Sequence, residues 1–118
     1  MSVLSDFELG WLVGLLEGEG HFGLYSSQVI EVNMTDEDTI YKVVSIYERV
    51  LGVTVNVMFI PKAKGQDVFC VRICGERART IMRLVVSHMN YRRRQKIWQC
   101  LNGYRQPKFD LVSLLNIT

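Results

Sequence analysis

The hydrophobic pattern of this chain alternates between helical and strand spacing, and the order of the segments restricts the folds open to it. In chain order the pattern predicts helix, hairpin, helix, hairpin, helix and helix. Each predicted hairpin is apolar on one face only. We therefore expect an α+β fold in which helices cover one face of a four-stranded antiparallel sheet and leave the other face open. The predicted helices are 6–16, 35–50, 76–89, 92–101 and, weakly, 110–115, and the predicted hairpins are 21–33 and 55–73.

The size and composition of the chain are those of a small globular protein. With 118 residues it can form one hydrophobic core, so we expect a single domain over 1–118. The longest apolar run, 11–16, is far shorter than the roughly 20 residues of a membrane span, and no signal-peptide pattern opens the sequence. Three cysteines without metal or disulfide spacing favour a reducing compartment. We expect a protein of the cytoplasm or of an organellar matrix or stroma, with no membrane partner.

The charged residues are divided unevenly along the chain. Residues 1–60 hold 2 Lys or Arg against 9 Asp or Glu, whereas residues 61–118 hold 12 against 3. Such a division often indicates a polyanionic partner for the basic half. Alternatively, the two halves interleave in space and their charges cancel.

The strand pattern also predicts which side chains lie on the uncovered sheet face. Because side chains alternate along a strand, the residues between the inward apolar ones must point to the open side. This face combines polar groups with a few apolar ones, which favours a binding surface over a purely solvated one. The residues assigned to it are His21, Gly23, Tyr25, Val29, Glu31, Asn33, Asn56, Met58, Val68, Cys70 and Arg72.

The stretch GWLVGLLEGEG, residues 10–20, combines a glycine stripe with two acids. Gly10, Gly14 and Gly18 recur every four residues, which predicts close approach of another helix, here the same helix of a second subunit. Glu17 and Glu19 fall at the negative end of the helix dipole, where a divalent cation held with the Gly18 carbonyl would compensate them. The alternative is a surface helix with a glycine cap and two solvated glutamates.

The segment 12–20 resembles the nine-residue signature of the LAGLIDADG homing endonucleases, and the predicted αββαββα order of elements resembles that family over most of the chain. The resemblance implies a saddle-shaped sheet that enters the DNA major groove and a homodimer that cuts both strands with Mg²⁺ or Mn²⁺. It identifies Glu19 as the catalytic metal ligand and implies a mobile element of an intron, intein or phage genome. The dimer contacts it implies are Gly10, Leu12, Gly14, Leu15, Glu17 and Gly18.

A second segment, 87–96, resembles the part of the family in which a basic residue lies near the scissile phosphate. Arg92 takes that position, which is usually lysine; arginine can stabilise phosphorane charge but hardly acts as an acid or base. A DNA-backbone clamp or a solvated start of a helix is the alternative for this basic run. Met34 stands where the family often places a polar residue, and Val13 replaces the signature alanine.

The resemblance and the open face together predict a set of DNA contacts: His21, Tyr25, Glu31, Asn33, Asn56, Lys62, Lys64, Arg72, Arg93, Arg94 and Lys96. Two other functions stay open from sequence. One is a DNA- or RNA-binding protein without nuclease activity, such as an intron maturase or a regulator. The other is an assembly module that binds no nucleic acid.

Overall fold

The computed structural model describes residues 3–62 and 64–103, and the weak helix predicted over 110–115 lies outside them. Within these residues the chain forms an α+β fold with four helices and a four-stranded antiparallel sheet, as predicted. No helix among them is long and apolar enough to cross a membrane. The elements are α1 Asp6–Glu19, β1 Gly20–Leu24, β2 Gln28–Met34, α2 Glu37–Leu51, β3 Val57–Ile60, β4 Val68–Cys74, α3 Glu76–Val85, the 3₁₀ helix Val86–His88 and α4 Tyr91–Leu101.

Helix α1 begins with a capping box. The Ser5 hydroxyl accepts a hydrogen bond from the Glu8 N–H at 3.1 Å, and the Ser5 N–H donates to the Glu8 carboxylate at 3.0 Å. The helix was predicted to end near Leu16, but it continues through Gly18 to Glu19. Gly20 opens β1 directly, and a Cβ there would lie 2.8 Å from the Leu16 carbonyl oxygen. Because no linker intervenes, α1 delivers Glu19 to the very edge of the sheet.

The other helix boundaries differ from the predictions by a few residues. The predicted helix over 35–50 would have Thr35 as its N-cap, but Asp36 takes that position, and its carboxylate accepts from the Thr39 hydroxyl at 2.7 Å. Gly52 ends α2 as predicted, with the left-handed φ of 70° that glycine tolerates. The third helix stops at Val85 instead of 89, because the chain tightens into the 3₁₀ turn before α4.

The sheet order is β1-β2-β4-β3, so the two hairpins meet through β2 and β4. The register aligns Phe22, Ile30 and Ile73 in one row across three strands. These side chains and the inward faces of the helices form one core. Its largest fully buried members are Tyr47, Phe22, Leu12, Leu16, Ile30, Ile40, Ile46, Ile81, Met82, Ile97, Val32 and Val43.

Two parts of the predicted alternation are wrong in detail. Gly23, Val29 and Cys70 belong to the open face by register yet are buried; the Tyr25 ring covers Gly23 at 2.6 Å from its Cβ position. The alternation of Val55, Val57 and Phe59 would place Phe59 on the covered face of the sheet, yet it is 55% exposed. It lies on the edge strand β3, where it packs against the Phe69 ring at 5.4 Å between centroids instead of beneath a helix.

Gln28 fixes the helices that follow the sheet. This buried side chain donates to the Cys100 carbonyl oxygen at 2.8 Å and accepts from the Arg79 guanidinium at 2.6 Å. Both polar atoms of the buried amide are therefore satisfied, and the two hydrogen bonds fix the orientation of the side chain. Gln28 therefore locks α3 and α4 to the start of β2, and so sets the position of α4 relative to β1.

Candidate active site and nucleic-acid interface

Glu19 is exposed at the junction between α1 and β1. In the part of the chain that the structure describes, its carboxylate has no hydrogen bond or ion pair, and the neighbouring Gly18 is also exposed. The last turn of α1 holds no basic residue. Two acids therefore stand at the negative end of a helix dipole without a nearby cation from their own turn, which is an unfavourable arrangement.

Glu17 has a different environment from Glu19. Its carboxylate accepts a hydrogen bond from the backbone N–H of Asn90 at 3.0 Å, and Asn90 is the N-cap of α4. The bond joins the end of α1 to the beginning of α4. Glu17, expected at the dimer interface, therefore has a contact inside its own chain, and the contact brings the basic start of α4 beside the Glu19 junction.

The start of α4 is basic and lacks acidic residues in its first turn. Arg92 and Lys96 are exposed, whereas the Arg94 guanidinium donates to the Met89 carbonyl oxygen at 3.0 Å. Arg93 stacks over the Phe22 ring at 5.7 Å, and its Nε has no hydrogen-bond partner among the described residues. Cations at the positive end of a helix dipole are unfavourable on their own and favour the arrival of an anion.

A cleft of about 720 Å³ lies between β1 and α4. Sequence reasoning identified its cations but missed Tyr91, Gln95 and Gln99, although their spacing of four along α4 places them on one helix face. Tyr91 is 69% exposed. An aromatic surface with cations and amides around it suits bases and phosphates of nucleic acid. The lining residues are His21, Phe22, Tyr91, Arg92, Arg93, Gln95, Lys96 and Gln99.

The open sheet face forms a second cleft, of about 570 Å³, which shares His21 with the first. The other lining residues are Tyr25, Glu31, Asn33 and Arg72, all predicted contacts. Glu31 accepts from the Arg72 guanidinium at 3.0 Å and from the Asn33 amide at 2.8 Å, and the His21 ring nitrogen lies 2.9 Å from the Tyr25 hydroxyl. The structure thus brings these five predicted residues together.

Cys70 is buried beneath this polar group. Burial raises the pKa of its thiol and the Glu31 carboxylate raises it further, while Arg72 acts in the opposite direction. The thiol stays protonated at neutral pH, so it packs as a small apolar side chain and offers no nucleophile.

The remaining predicted contacts lie at the second hairpin. Lys62 and Lys64 are exposed near its tip, and the Lys62 backbone N–H donates to the Asp67 carboxylate at 3.2 Å. Asn56 is exposed just before β3. Lys62 and Lys64 line neither cleft described above, whereas Asn56 shares a smaller cleft of about 300 Å³ with Arg72 of the His21 group.

The glycine stripe faces away from the core. A Cβ built at Gly10, Gly14 or Gly18 would meet no atom of the described residues within 4 Å. Phe7, on the same helix, is 75% exposed. Leu15 is half-buried, whereas Leu12 is completely buried in its own chain, so the expectation that Leu12 lies at a subunit interface is wrong. The signature is apolar around the whole helix, which hides the direction of its inner face.

Glu19 and the Gly18 carbonyl provide only part of the ligand set of a magnesium ion. Among residues 3–62 and 64–103 no three His, Cys, Asp or Glu side chains converge as a metal cluster. Mg²⁺ usually keeps several waters and takes one or two carboxylates plus substrate phosphates. The exposed Glu19 carboxylate with the Gly18 carbonyl meets that smaller requirement.

Comparison with protein-family models, with curated proteins and with solved structures found no match to this chain.

Proposed function

We propose that this protein is a homodimeric, sequence-specific double-strand DNA endonuclease of the LAGLIDADG type that depends on Mg²⁺ or Mn²⁺. The observation that carries the proposal is Glu19: an exposed, unpaired carboxylate within the described residues, at a helix end where it is electrostatically unfavourable, beside a cationic cleft. A carboxylate in this environment is suited to a ligand that brings positive charge.

Glu19 and the Gly18 carbonyl would hold the metal ion. When bound, a divalent cation of this kind lowers the pKa of its water and neutralises charge on a phosphate. The chain itself supplies the rest of the site. Arg92 and Lys96, exposed on the neighbouring helix, bind the phosphate backbone and stabilise the charge that develops on it. Because arginine stays protonated, Arg92 orients the phosphate but transfers no proton.

Helix α1 supports the dimer. The open face of α1 bears glycines that allow close backbone approach, and an exposed Phe7 beside them gives apolar area to cover. A two-fold axis along this face would place two Glu19 carboxylates near each other. The arrangement allows one protein to act on the phosphates of both strands.

The uncovered sheet face supports recognition of DNA. His21, Asn33 and Arg72 offer donors and acceptors on a surface wide enough to include three adjacent strands. A β-surface of this kind can enter the major groove, where base edges carry a distinct pattern of donors and acceptors. Lys62 and Lys64 at the hairpin tip are placed for contacts with phosphates.

A nucleic-acid-binding protein without cleavage, as in a maturase or regulator, is the second candidate. Met34 favours it, because this side chain occupies the position at which the family often has a polar residue, and it packs against the core. Nearby Asn33 has an amide hydrogen bond to Glu31. The two candidates share the binding surface and differ only in the chemistry at Glu19.

The deciding experiment is cleavage of a randomised plasmid library with Mg²⁺ and with Mn²⁺, followed by sequencing of the ends. Wild type should cut a defined site, and Glu19→Gln should cut at least about 100-fold more slowly while binding the same site. Glu37→Gln is the matched control, since Glu37 is an exposed acid at the start of α2. It should cleave like wild type.

Specific binding by wild type without nicking under either metal would support the second candidate and exclude the nuclease. Sedimentation tests the dimer separately. A species of one 13.6 kDa chain at micromolar concentration, with and without DNA, would exclude the homodimer.

A further inference from the structure

Glu31 occupies the middle of the open sheet face. The register places it between His21 on β1 and Arg72 on β4, at the centre of a polar row. Each of its carboxylate oxygens has a partner: Oε1 accepts from Arg72 Nη1 at 3.0 Å, and Oε2 accepts from Asn33 Nδ2 at 2.8 Å. The Arg72 side chain nevertheless stays 47% exposed, against 25% for Glu31.

A carboxylate is an unusual group for the centre of a surface that faces a polyanion. Exposed ion pairs contribute little to stability, so the Glu31–Arg72 pair is poorly explained as a fold-stabilising contact. The pair does restrict Arg72: Nη1 donates to Glu31, and the other guanidinium donors have no partner among the described residues, in a side chain that is 47% exposed. Restricting a side chain before binding reduces the entropy lost on binding.

We propose that Glu31 is a positioning residue that holds Arg72 for recognition of a guanine edge in the DNA major groove. The inference rests on the proposed function and names the base chemistry that the sheet face reads. Arginine donates in a planar fork that matches the O6 and N7 acceptors of guanine, and this is the commonest specific contact in protein–DNA complexes.

Two features distinguish a guanine contact from a phosphate contact at Arg72. The Glu31 carboxylate stands 3.0 Å from the Arg72 guanidinium, so its negative charge opposes attraction to phosphates, while the donors that do not contact Glu31 remain for a base edge. Arg72 also stands inside the sheet, on β4 between β2 and β3, whereas cations without a carboxylate partner in the described residues, such as Lys62 and Lys64, lie at the rim. The sheet face thus separates base reading at its centre from phosphate binding at its edge.

The test is selection of bound duplexes from a randomised DNA pool, with parallel measurements of affinity for non-specific DNA and of melting temperature. The variants are Arg72→Lys, Glu31→Gln and the double variant. Glu76→Gln is the matched control, because Glu76 forms an ion pair of the same 3.0 Å length with Arg79 on α3. The control should leave the whole base-preference profile unchanged.

Wild type should prefer guanine at one position of each half-site. Arg72→Lys keeps the charge but loses the fork, so this preference should fall by about 5- to 150-fold at that position alone. Glu31→Gln should reduce the preference at the same position by a smaller factor and strengthen non-specific binding, because it removes a negative charge. The double variant should lose no more than Arg72→Lys alone, since Glu31 acts through Arg72.

A selective wild type whose guanine preference survives Arg72→Lys would overturn the inference and leave the proposed nuclease standing. A Glu31→Gln variant that loses affinity equally for all sequences together with melting temperature would also overturn it, because Glu31 would then be structural. A wild type without any sequence preference would refute the proposed function itself, and the inference with it.

Discussion

Helices α1 and α2 pack on the same sheet, yet they are built differently. Helix α2 has a buried apolar stripe and an exposed polar side, and it ends with Arg49 in its last turn and a left-handed Gly52. Between Leu9 and Leu16, helix α1 has no polar side chain on any side, and its outer side bears exposed glycines and Phe7. Its last turn carries two acids and no base.

Helix α2 is satisfied by contacts within its own chain, whereas helix α1 is not. An amphipathic helix such as α2 satisfies both the core and the solvent, whereas a helix that is apolar all round usually has neighbours on more than one side. The last turn of α2 balances Glu48 with the cation of Arg49, whereas the last turn of α1 has two acids and no cation. Helix α1 is therefore the element at which a second molecule and a cation are expected.

Truncation of a core side chain on the inner side of α1 or of α2 should destabilise the protein to a similar extent, and this is the largest expected effect. Leu12 of α1 and Ile46 of α2 are both essentially fully buried, at 0% and 1% exposure. Leu12→Ala and Ile46→Ala should each lower the free energy of unfolding by about 2–5 kcal/mol, through lost burial and a cavity. Urea unfolding of wild type and the two variants measures this loss of free energy. A much smaller cost for Leu12→Ala would show that the inner side of α1 is not core.

The outer sides should behave differently. Gly14→Ala adds a methyl group in open space inside a helix, so it should raise the stability of the single chain by about 0.5–1 kcal/mol. The same methyl group should weaken self-association if two α1 helices meet there, and Gly14→Leu should weaken it further. Ser45→Ala, on the exposed side of α2, is the control and should leave association unchanged.

Thermal unfolding at low protein concentration measures the stability of the single chain, and sedimentation measures self-association, so the two effects of the Gly14 substitutions can be separated. Association that is unaffected by both Gly14 substitutions would remove the glycine stripe from the dimer interface.

The smallest expected effect concerns the contact between the two helices. The Arg49 guanidinium donates to the Glu8 carboxylate at 2.7 Å and, with the capping bond to Ser5, lowers the pKa of Glu8 from 4.5 to about 2. Folded Glu8 binds its proton more weakly than unfolded Glu8. Its contribution to stability is therefore complete above pH 4.5 and is lost as the pH falls towards about 2.

Melting temperatures across this pH range test the contact. Glu8→Gln should melt below wild type at pH 7, and the difference should shrink as the pH falls. Arg49→Gln should remove the larger share of this pH dependence, and the capping bond from Ser5 should retain the rest. Parallel curves for wild type and Glu8→Gln at all pH values would contradict the assignment.

Local signals in the sequence were sufficient to predict most of the fold. Alternating and helical periods predicted the element order, and Gly52 marked the end of α2 correctly, while Ser5 and Asp6 both fitted the N-cap position that Ser5 takes. Contacts between distant residues left no local signal. Nothing near Gln28 indicates that its amide joins α3 and α4 to the sheet. The uniform apolar character of α1 likewise concealed that Leu12 points inward, because a helix without a polar side has no visible inner face.

Motif and charge singled out Glu19 and Arg92 in the sequence, and the structure places both on the surface. Tyr91, Gln95 and Gln99 escaped notice because they are uncharged, although their spacing was readable. The pairing of Glu31 with Arg72 depends on strand register, which joins residues 41 positions apart. The sequence pattern places Glu31 and Arg72 on the same face of the sheet, but it does not predict the strand register that puts them side by side.

The hydrogen bond from the Asn90 N–H to the Glu17 carboxylate has a consequence for the synthesis of the protein. It joins residues 73 positions apart, so the chain must close a long loop before the bond can form. A chain emerging from the ribosome exposes Glu19 early and the α4 side of the cleft only near the end of the described fold. A nascent chain that has not yet reached α4 therefore carries the acid without the cations, and the cleft first exists once α4 has been made.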